Sequence, residues 1–179
     1  MNRFRRFVIP TLGALVGLFL TSTAAMAQFG TDTNTSTAGV TIVAPIALSH
    51  SVHLNFGQIV PHATLAGTVL QSAAASPTRT PTNCTLGSSV GMTPGTFTVT
   101  GGANATYAIT LPANGVVSLD DGGAGDAMAI DDWTSLPSAT GTLNGGGTQT
   151  LYVGGTLNIG AAQLAGAYTD DFDVIVTYN

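Results

Sequence analysis

The sequence predicts an all-β protein built as a two-sheet sandwich, and three observations lead to this prediction. Residues 28–179 contain 25 Thr and 21 Gly; Thr favours half-buried, pleated backbone, whereas Gly favours turns. Short stretches that alternate apolar and polar side chains recur at the spacing of sandwich strands. No 11-residue window shows convincing helical periodicity. A sandwich of about eight or nine strands would account for these patterns.

The N-terminus has the three parts of a secretory signal peptide. Three arginines lie within the first six residues, residues 7–20 are apolar, and Ala25-Met26-Ala27 is a small-x-small cleavage site. The apolar run is interrupted by Pro10 and is shorter than the roughly 20 residues of a spanning helix. We therefore expect residues 1–27 to be removed. The mature chain would then be exported to the periplasm and on to the cell surface or medium, without membrane integration.

The mature chain is acidic and almost free of cations. Lys and Glu are absent, and nine Asp face the single Arg79 after residue 27, which gives a formal charge of −8. Charged residues make up 7% of the sequence, against about 25% in an ordinary soluble domain. This composition excludes nucleic-acid binding through basic contacts and argues against docking on anionic membranes.

The first strand is predicted at residues 40–48, after a polar, Thr-rich tail at residues 28–39 that reads as flexible. Val40, Ile42, Ala44, Ile46 and Leu48 share one parity and form an apolar face. Pro45 cannot donate a ladder hydrogen bond, which favours an edge strand. Residues 40–179 are therefore predicted to form a single sandwich domain, with residues 40–48 as its own first strand or as a strand donated to another molecule.

Further strands follow at short intervals. Residues 54–60 and 68–70 suggest two short strands. A long loop is predicted from Ser76 to Pro94, with or without one short edge strand inside it. Residues 96–100 and 106–111 flank a Gly101-Gly102-Ala103-Asn104 turn and are predicted to pair as a hairpin. The remaining predicted strands lie at residues 116–119, 128–133, 149–153, 156–159 and 172–178.

The candidate chemical groups do not assemble into a recognisable site. Gly87-Ser88-Ser89-Val90-Gly91 fits the GxSxG pattern of a nucleophile elbow, but that pattern needs a later His, and His50, His53 and His62 all precede it. His50 and His53 are three residues apart, at what reads as the end of a strand or a turn. In a strand this offset sends side chains to opposite faces and prevents a shared metal; a turn would relax that geometry, but no Cys, Glu or nearby Asp completes a site. We therefore expect no catalytic residue, no resident metal and no cofactor, and predict that the protein is not an enzyme.

Two features leave alternatives open. Asp120, Asp121, Asp126, Asp131 and Asp132 lie among glycines, so they could hold Ca²⁺. Solvated turn aspartates are the preferred interpretation, because the spacing does not match the helix–loop–helix pattern and no Glu is present. Cys84 has no second cysteine for an intrachain bridge, so it is a reactive thiol, an intermolecular bridge or a small loop residue. The last interpretation is preferred because nothing nearby in sequence would lower its pKa.

The C-terminus resembles that of the subunits of bacterial chaperone–usher pili and of related spore-coat-U-type secreted proteins. It ends in the alternating strand Phe172-Asp173-Val174-Ile175-Val176-Thr177-Tyr178-Asn179, with Gly166 fourteen residues from the end and Tyr178 penultimate. A resemblance to an exported bacterial domain-of-unknown-function family covers most of residues 38–179. Its marks are Val40-Thr41-Ile42-Val43-Ala44-Pro45-Ile46, Leu54-Asn55-Phe56-Gly57-Gln58-Ile59 and Tyr152-Val153-Gly154-Gly155-Thr156-Leu157.

The pilus resemblance implies an immunoglobulin-like sandwich that lacks its last strand and is completed by a donated one. The expected partners are copies of the chain or related subunits, together with a periplasmic chaperone and an outer-membrane usher. The implied donor residues are Val40, Ile42, Ala44 and Ile46, and the implied acceptor and chaperone-contact residues are Gly166, Phe172, Val174, Val176 and Tyr178. The alternative is a self-contained, monomeric secreted or surface domain with an unknown binding role.

Overall fold

A computed structural model describes residues 31–123 and 126–179 of the chain. The predicted signal peptide and the first residues of the tail lie outside these ranges. Thr41–Asn179 form one compact unit, and residues 31–40 are exposed and carry no regular secondary structure. The described ranges contain no helix of the length and apolar character needed to cross a membrane.

The compact unit is all-β, as predicted, with every strand pair antiparallel. In the described ranges the strands are β1 Ala47–Val52, β2 Ile59–Pro61, β3 Gly67–Gln71, β4 Arg79–Thr82, β5 Cys84–Leu86, β6 Gly95–Thr100, β7 Thr106–Thr110, β8 Ser118–Leu119, β9 Met128–Leu136, β10 Thr140–Thr142, β11 Thr148–Ile159 and β12 Ile175–Tyr178. The predicted loop from Ser76 to Pro94 thus contains two short strands, β4 and β5, where at most one was expected.

The main sheet is organised around the long strand β11. The strand order is β1-β6-β11-β3-β4, and β9, which also pairs with β8, pairs with β11 as well. Strand β6 pairs with the first half of β11 and β3 with the second half. A three-stranded sheet, β10-β7-β12, and a two-stranded sheet, β2-β5, complete the architecture. The arrangement is consistent with an immunoglobulin-like sandwich.

Two predicted strands, residues 149–153 and 156–159, are one continuous strand, so the predicted break at Gly154-Gly155 is wrong. Gly154 lies within β11. The residue there is glycine because the backbone of Gln71 and Ala73 approaches it closely: a Cβ at this position would lie 2.8 Å from the amide nitrogen of Ala73. Glycine at this point therefore reflects close strand packing, and not a turn.

The predicted hairpin of residues 96–100 and 106–111 is also wrong. Both segments are strands, but β6 pairs with β1 and β11, whereas β7 pairs with β10 and β12. Both edges of β6 are therefore occupied, and the chain crosses from one sheet to the other at Gly101-Gly102. Alternation and turn residues alone do not distinguish a hairpin from such a crossing, because both need the same local backbone.

The first strand begins at Ala47, later than the predicted residues 40–48. Its pairing with β6 starts opposite Thr100, where β6 ends and the glycine turn begins. Residues before Ala47 therefore have no ladder partner in β6. Ile46 and Leu48 are half-buried against the domain's core, whereas the residues from 41 to 45 are exposed.

The core consists of two clusters joined by Trp133 and Phe172, whose ring centroids are 4.9 Å apart and which pack against both. The first cluster contains Phe97, Val99, Tyr107, Leu143, Leu151 and Val153. The second contains Phe56, Val69, Val117, Met128, Ile130, Leu157 and Ile159. Successive inward-facing residues of β11 supply both clusters, and we name them the first and second clusters in the order in which β11 reaches them.

Candidate functional site

A slot of about 890 Å³ opens over the second cluster. Residues 54–61 form one wall and residues 164–172 form the other, and the floor contains Leu119, Met128, Ile130 and Ile159. The floor residues belong to the core or pack against it. The slot is thus a place where the apolar interior of the sandwich meets solvent, because no strand within residues 31–123 and 126–179 covers this part of the second cluster.

The first wall is held by bonds to residues that do not line the slot. Asn55 and Thr93 exchange two backbone hydrogen bonds, with nitrogen–oxygen distances of 2.9 and 3.0 Å, and β2 pairs with β5. The Arg79 guanidinium donates to the carbonyl oxygens of Phe56 and Gln58 at 2.7 and 3.1 Å. Arg79, the one Lys or Arg in the sequence after residue 27, therefore supports the wall.

The second wall is held by hydrogen bonds to Asp120 and Ser118 and by bonds among its own residues. The backbones of Asp120 and Thr169 exchange hydrogen bonds of 3.1 and 2.9 Å. The Asp170 carboxylate accepts a bond of 2.9 Å from the backbone nitrogen of Ser118. Tyr168 donates its hydroxyl to the carbonyl oxygen of Leu164 at 3.0 Å and accepts from the Gln163 amide at 3.1 Å. This wall is therefore shaped by side chains, and among the described residues its sheet pairing is the single bridge between Thr169 and Asp120.

The two walls approach each other at both ends of the slot. At one end the backbone nitrogen of Ala162 donates to the carbonyl oxygen of His62 at 2.8 Å. At the other end Leu54 and Phe172 both pack over Gly95, and a Cβ there would lie 3.5 and 3.3 Å from them. Between these points the described residues show no backbone hydrogen bond from wall to wall. The slot is therefore bounded, with two walls of roughly eight residues whose facing edges are unpaired.

The rim of the slot is apolar and acidic. Val60, Val90 and Leu164 are more than half exposed, and all three line the slot. Asp170 and Asp171 lie on the second wall, and no Lys or Arg of the described residues lines the slot. An opening with this lining suits an apolar segment that carries no net negative charge at its contact face.

The predicted acceptor residues divide into two groups. Gly166 and Phe172 line the slot. Val174, Val176 and Tyr178 pack against the first cluster, outside the slot. The structure therefore brings only the start of the predicted acceptor strand to the opening, because β7 pairs with β12 and holds the rest of it against the domain.

The predicted donor residues also divide. Val40 and Ile42 are 88% and 89% exposed, and Ala44 is exposed. Ile46 is half-buried and packs against the first cluster of its own domain. Two of the four are thus large apolar side chains exposed to solvent.

His50 and His53 are neighbours, so of the two geometries considered it is the relaxed one, and not that of a regular strand, that holds here. Their ring centroids are 4.3 Å apart because β1 has an irregularity between His50 and Val52 that changes the alternation. The His50 ring also meets Phe97 edge-on, with centroids 5.5 Å apart. Residues 31–123 and 126–179 contain no group of three His, Cys, Asp or Glu placed to hold a metal ion.

The clustered aspartates divide between a turn and a strand: Asp120 and Asp121 act in a turn, whereas Asp131 and Asp132 lie in β9. Asp120 and Asp121 accept backbone hydrogen bonds of 2.8 and 2.9 Å from Gly122 and Gly123. The Asp131 carboxylate accepts from the Asn158 amide at 2.6 Å. Residues 124–125 lie outside the described ranges, so calcium binding by the whole segment stays an open alternative.

Cys84 lies in β5 and not in a loop. Its thiol donates to the carbonyl oxygen of Thr68 at 3.4 Å, and burial raises its pKa. A raised pKa disfavours the thiolate at neutral pH, which fits a packed side chain better than a reactive one. Ser88 and Ser89 are in the loop after β5, and the backbone of Ser88 contacts Gln58 of the slot wall.

The sequence did not identify the slot floor or its first wall as a site. Met128, Ile130 and Ile159 read as ordinary core residues, and residues 54–60 read as a strand. The one local signal was Gly57, which adopts a positive φ of 71°. It interrupts the apolar pattern between Phe56 and Ile59 and marks irregular backbone in the first wall.

The chain matches a known family over most of its length. Residues 46–178 match the family described as a domain of unknown function, DUF4402. The chain belongs to this family. No curated protein and no solved structure matches the chain. The family match begins at Ile46, which is also the first residue that packs against the core, so residues 31–45 lie outside both the matched domain and its core.

Proposed function

We propose that this DUF4402 chain is an exported structural subunit of a fimbria-like surface assembly that polymerises by β-strand addition. The observation that carries the proposal is the slot: an apolar floor between two walls whose facing edges are unpaired. In β-strand addition, backbone hydrogen bonds supply affinity and alternate side chains fill pockets. The slot has the form that such a strand would complete.

The N-terminal segment supports the same proposal from the donor side. Val40 and Ile42 share one parity and are almost fully exposed, and Ala38 and Ala44 continue the same face with small side chains. A strand that places alternate residues on the slot floor would bury these side chains. Burying one large apolar side chain is worth about 1.5–3 kcal/mol.

Length supports the pairing of donor and slot. Each wall is about eight residues long and bends within its length, so the slot is no longer than eight residues of extended chain, roughly 26 Å. The exposed segment before the domain, residues 31–45, is longer than that. One copy could therefore fill the slot of a second copy while its own domain stays folded.

Export and the wider partners are parts of the proposal. The N-terminal pattern supports removal of residues 1–27 and passage to the periplasm. Until a neighbouring copy arrives, the open slot is an aggregation hazard. A periplasmic chaperone that lends a strand, and an outer-membrane usher, would meet this need. The C-terminal resemblance to chaperone–usher pilins favours that route.

A second candidate function is a self-contained secreted or surface domain that binds a small apolar molecule. The slot volume of about 890 Å³ favours it, because small-molecule sites commonly measure about 300–1,000 Å³ and have mostly apolar linings. In that case the protein would remain monomeric, and the N-terminal segment would have no role in trans.

The test is to express the full chain in a bacterial host, recover the exported protein and run it unheated in SDS. We expect a ladder of oligomers that collapses to one band on boiling, and N-terminal sequencing should begin at Gln28. The variant V40S/I42S should lose most of the ladder. The matched control V116S replaces an exposed valine outside the slot and the tail, and should keep it. If the unheated sample of the unaltered chain ran as a single monomer band at every concentration, as the boiled sample does, the proposal would be contradicted.

A further inference from the structure

Tyr178, the penultimate residue, joins three separate parts of the domain. Its hydroxyl donates to the carbonyl oxygen of Ala44 at 2.7 Å. The same hydroxyl accepts from the backbone nitrogen of Gly102, also at 2.7 Å. One side chain at the end of β12 therefore ties the N-terminal segment to the crossing between the two sheets.

The surrounding residues are small enough to allow this contact. A Cβ on Gly101 would overlap the Tyr178 hydroxyl, and a Cβ on Gly102 would overlap the Val43 side chain. The two glycines thus leave room for Tyr178 on one side and Val43 on the other. Because a larger residue at either position would displace one of them, the Gly101-Gly102 pair is part of the contact.

From these contacts we infer that Tyr178 limits the segment that a copy can donate, so that the donated strand is residues 35–42 and not residues 40–46. Ala44 is held by Tyr178, and Ile46 and Leu48 pack in the first cluster of their own domain. The family match begins at Ile46. Residues from Ala44 onward are therefore bound to their own domain. That the residues before Ala44 are donated to a second copy rests on the proposed function.

The length of the slot sets the other limit. A strand of about eight residues that ends at Ile42 begins at Thr35, and its apolar parity places Ser36, Ala38, Val40 and Ile42 toward the floor. The two large side chains would then lie at one end of the slot and the two small ones at the other. The donor residues Ala44 and Ile46 are reassigned to anchoring the segment on its own domain.

The experiment places single cysteines along the segment in a C84S background and mixes each with V60C, on the slot rim. Disulfide-linked dimers should form in good yield at the one of positions 38, 40 and 42 that lies opposite residue 60, because a disulfide needs its two Cα atoms within about 7 Å. The yield should fall steeply at positions 44 and 46. Adding Y178F to the donor should raise the yield at position 44 roughly tenfold, because it removes two hydrogen bonds of ordinary net strength. The matched control Y152F alters a half-buried tyrosine elsewhere and should not.

An independent readout does not require assembly. Exchange of the Gly102 backbone N–H should be slow in the unaltered monomer and clearly faster in Y178F, since its acceptor is lost. Equal crosslinking at positions 42, 44 and 46 in the unaltered chain would overturn the inference while leaving strand addition intact. No crosslink at any position, together with no SDS-resistant oligomer, would instead overturn the proposed function.

Discussion

The two halves of β11 face cores that are covered differently. Over its first half, β10, β7 and β12 close the first cluster with a three-stranded sheet, and Leu151 and Val153 are fully buried. Over its second half, the cover consists of the short pair β2-β5 and the slot walls, which the described residues leave unpaired along their facing edges. One continuous strand therefore supports a sealed core at one end and an open core at the other.

This difference shows that the opening is a property of the cover and not of the sheet beneath it. The floor residues Met128, Ile130 and Ile159 alternate along β9 and β11 as regularly as Leu151 and Val153 do in the sealed half. What the open half lacks is a strand that pairs with both walls. A donated strand would supply what β7 and β12 supply to the first cluster.

The largest expected effect on the free energy of unfolding comes from shortening one buried side chain in the sealed half of the core and one in the open half. L151A should lower the free energy of unfolding by about 3–5 kcal/mol, because it leaves a cavity in a sealed core. M128A should cost about 2 kcal/mol or less, because its cavity joins the slot and is open to water. Urea-induced unfolding of both variants measures the difference. An equal loss for M128A would show that the slot is filled in solution.

A smaller effect is expected where β11 passes from one half to the other. G154A introduces a Cβ that would overlap the carbonyl oxygen of Gln71, and it should lower the free energy of unfolding by about 1–3 kcal/mol, as overpacking does. The matched control G145A adds the same methyl group where nothing lies within 4 Å, so its unfolding curve should coincide with that of the unaltered chain. A neutral G154A would mean that β3 and β11 can separate at this point.

The smallest effect concerns pH and is confined to the sealed half. Tyr107 is fully buried and donates its hydroxyl to Gln149 at 2.8 Å, and burial raises its pKa above the ordinary value of 10.0. Above about pH 10 the unfolded chain loses this proton while the folded chain keeps it. Stability is therefore complete below pH 10 and should fall as pH rises toward the folded pKa, by up to about 1.4 kcal/mol per pH unit.

The measurement compares thermal midpoints from pH 8 to 11 in a C84S background, since burial raises the pKa of Cys84 in the same direction. The variant Y107F should be less stable at pH 8, where Gln149 loses its donor, and its midpoint should fall less steeply above pH 10. Parallel falls in both proteins would assign the alkaline loss to groups other than Tyr107.

Some elements of the fold could be predicted from local sequence patterns and others could not. The strands at residues 68–70 and 128–133 were predicted close to their observed bounds, because alternation reports burial of one face. The hairpin at Gly101-Gly102 and the break at Gly154-Gly155 were wrong. In both cases glycine was needed for a close approach between distant parts of the chain, a requirement that leaves no trace in the neighbouring residues.

By itself the sequence determined that the domain is all-β, that it is acidic with a single cation beyond the N-terminal pattern, and that an apolar, alternating segment precedes it. These properties depend on composition and on residues within one strand. Only the tertiary structure decided which strands cover which half of β11, where the slot opens and how Tyr178 holds Ala44, which lies far away in the chain. Alternation records that one face of a strand is buried, but the element that buries it is chosen by contacts between residues distant in sequence.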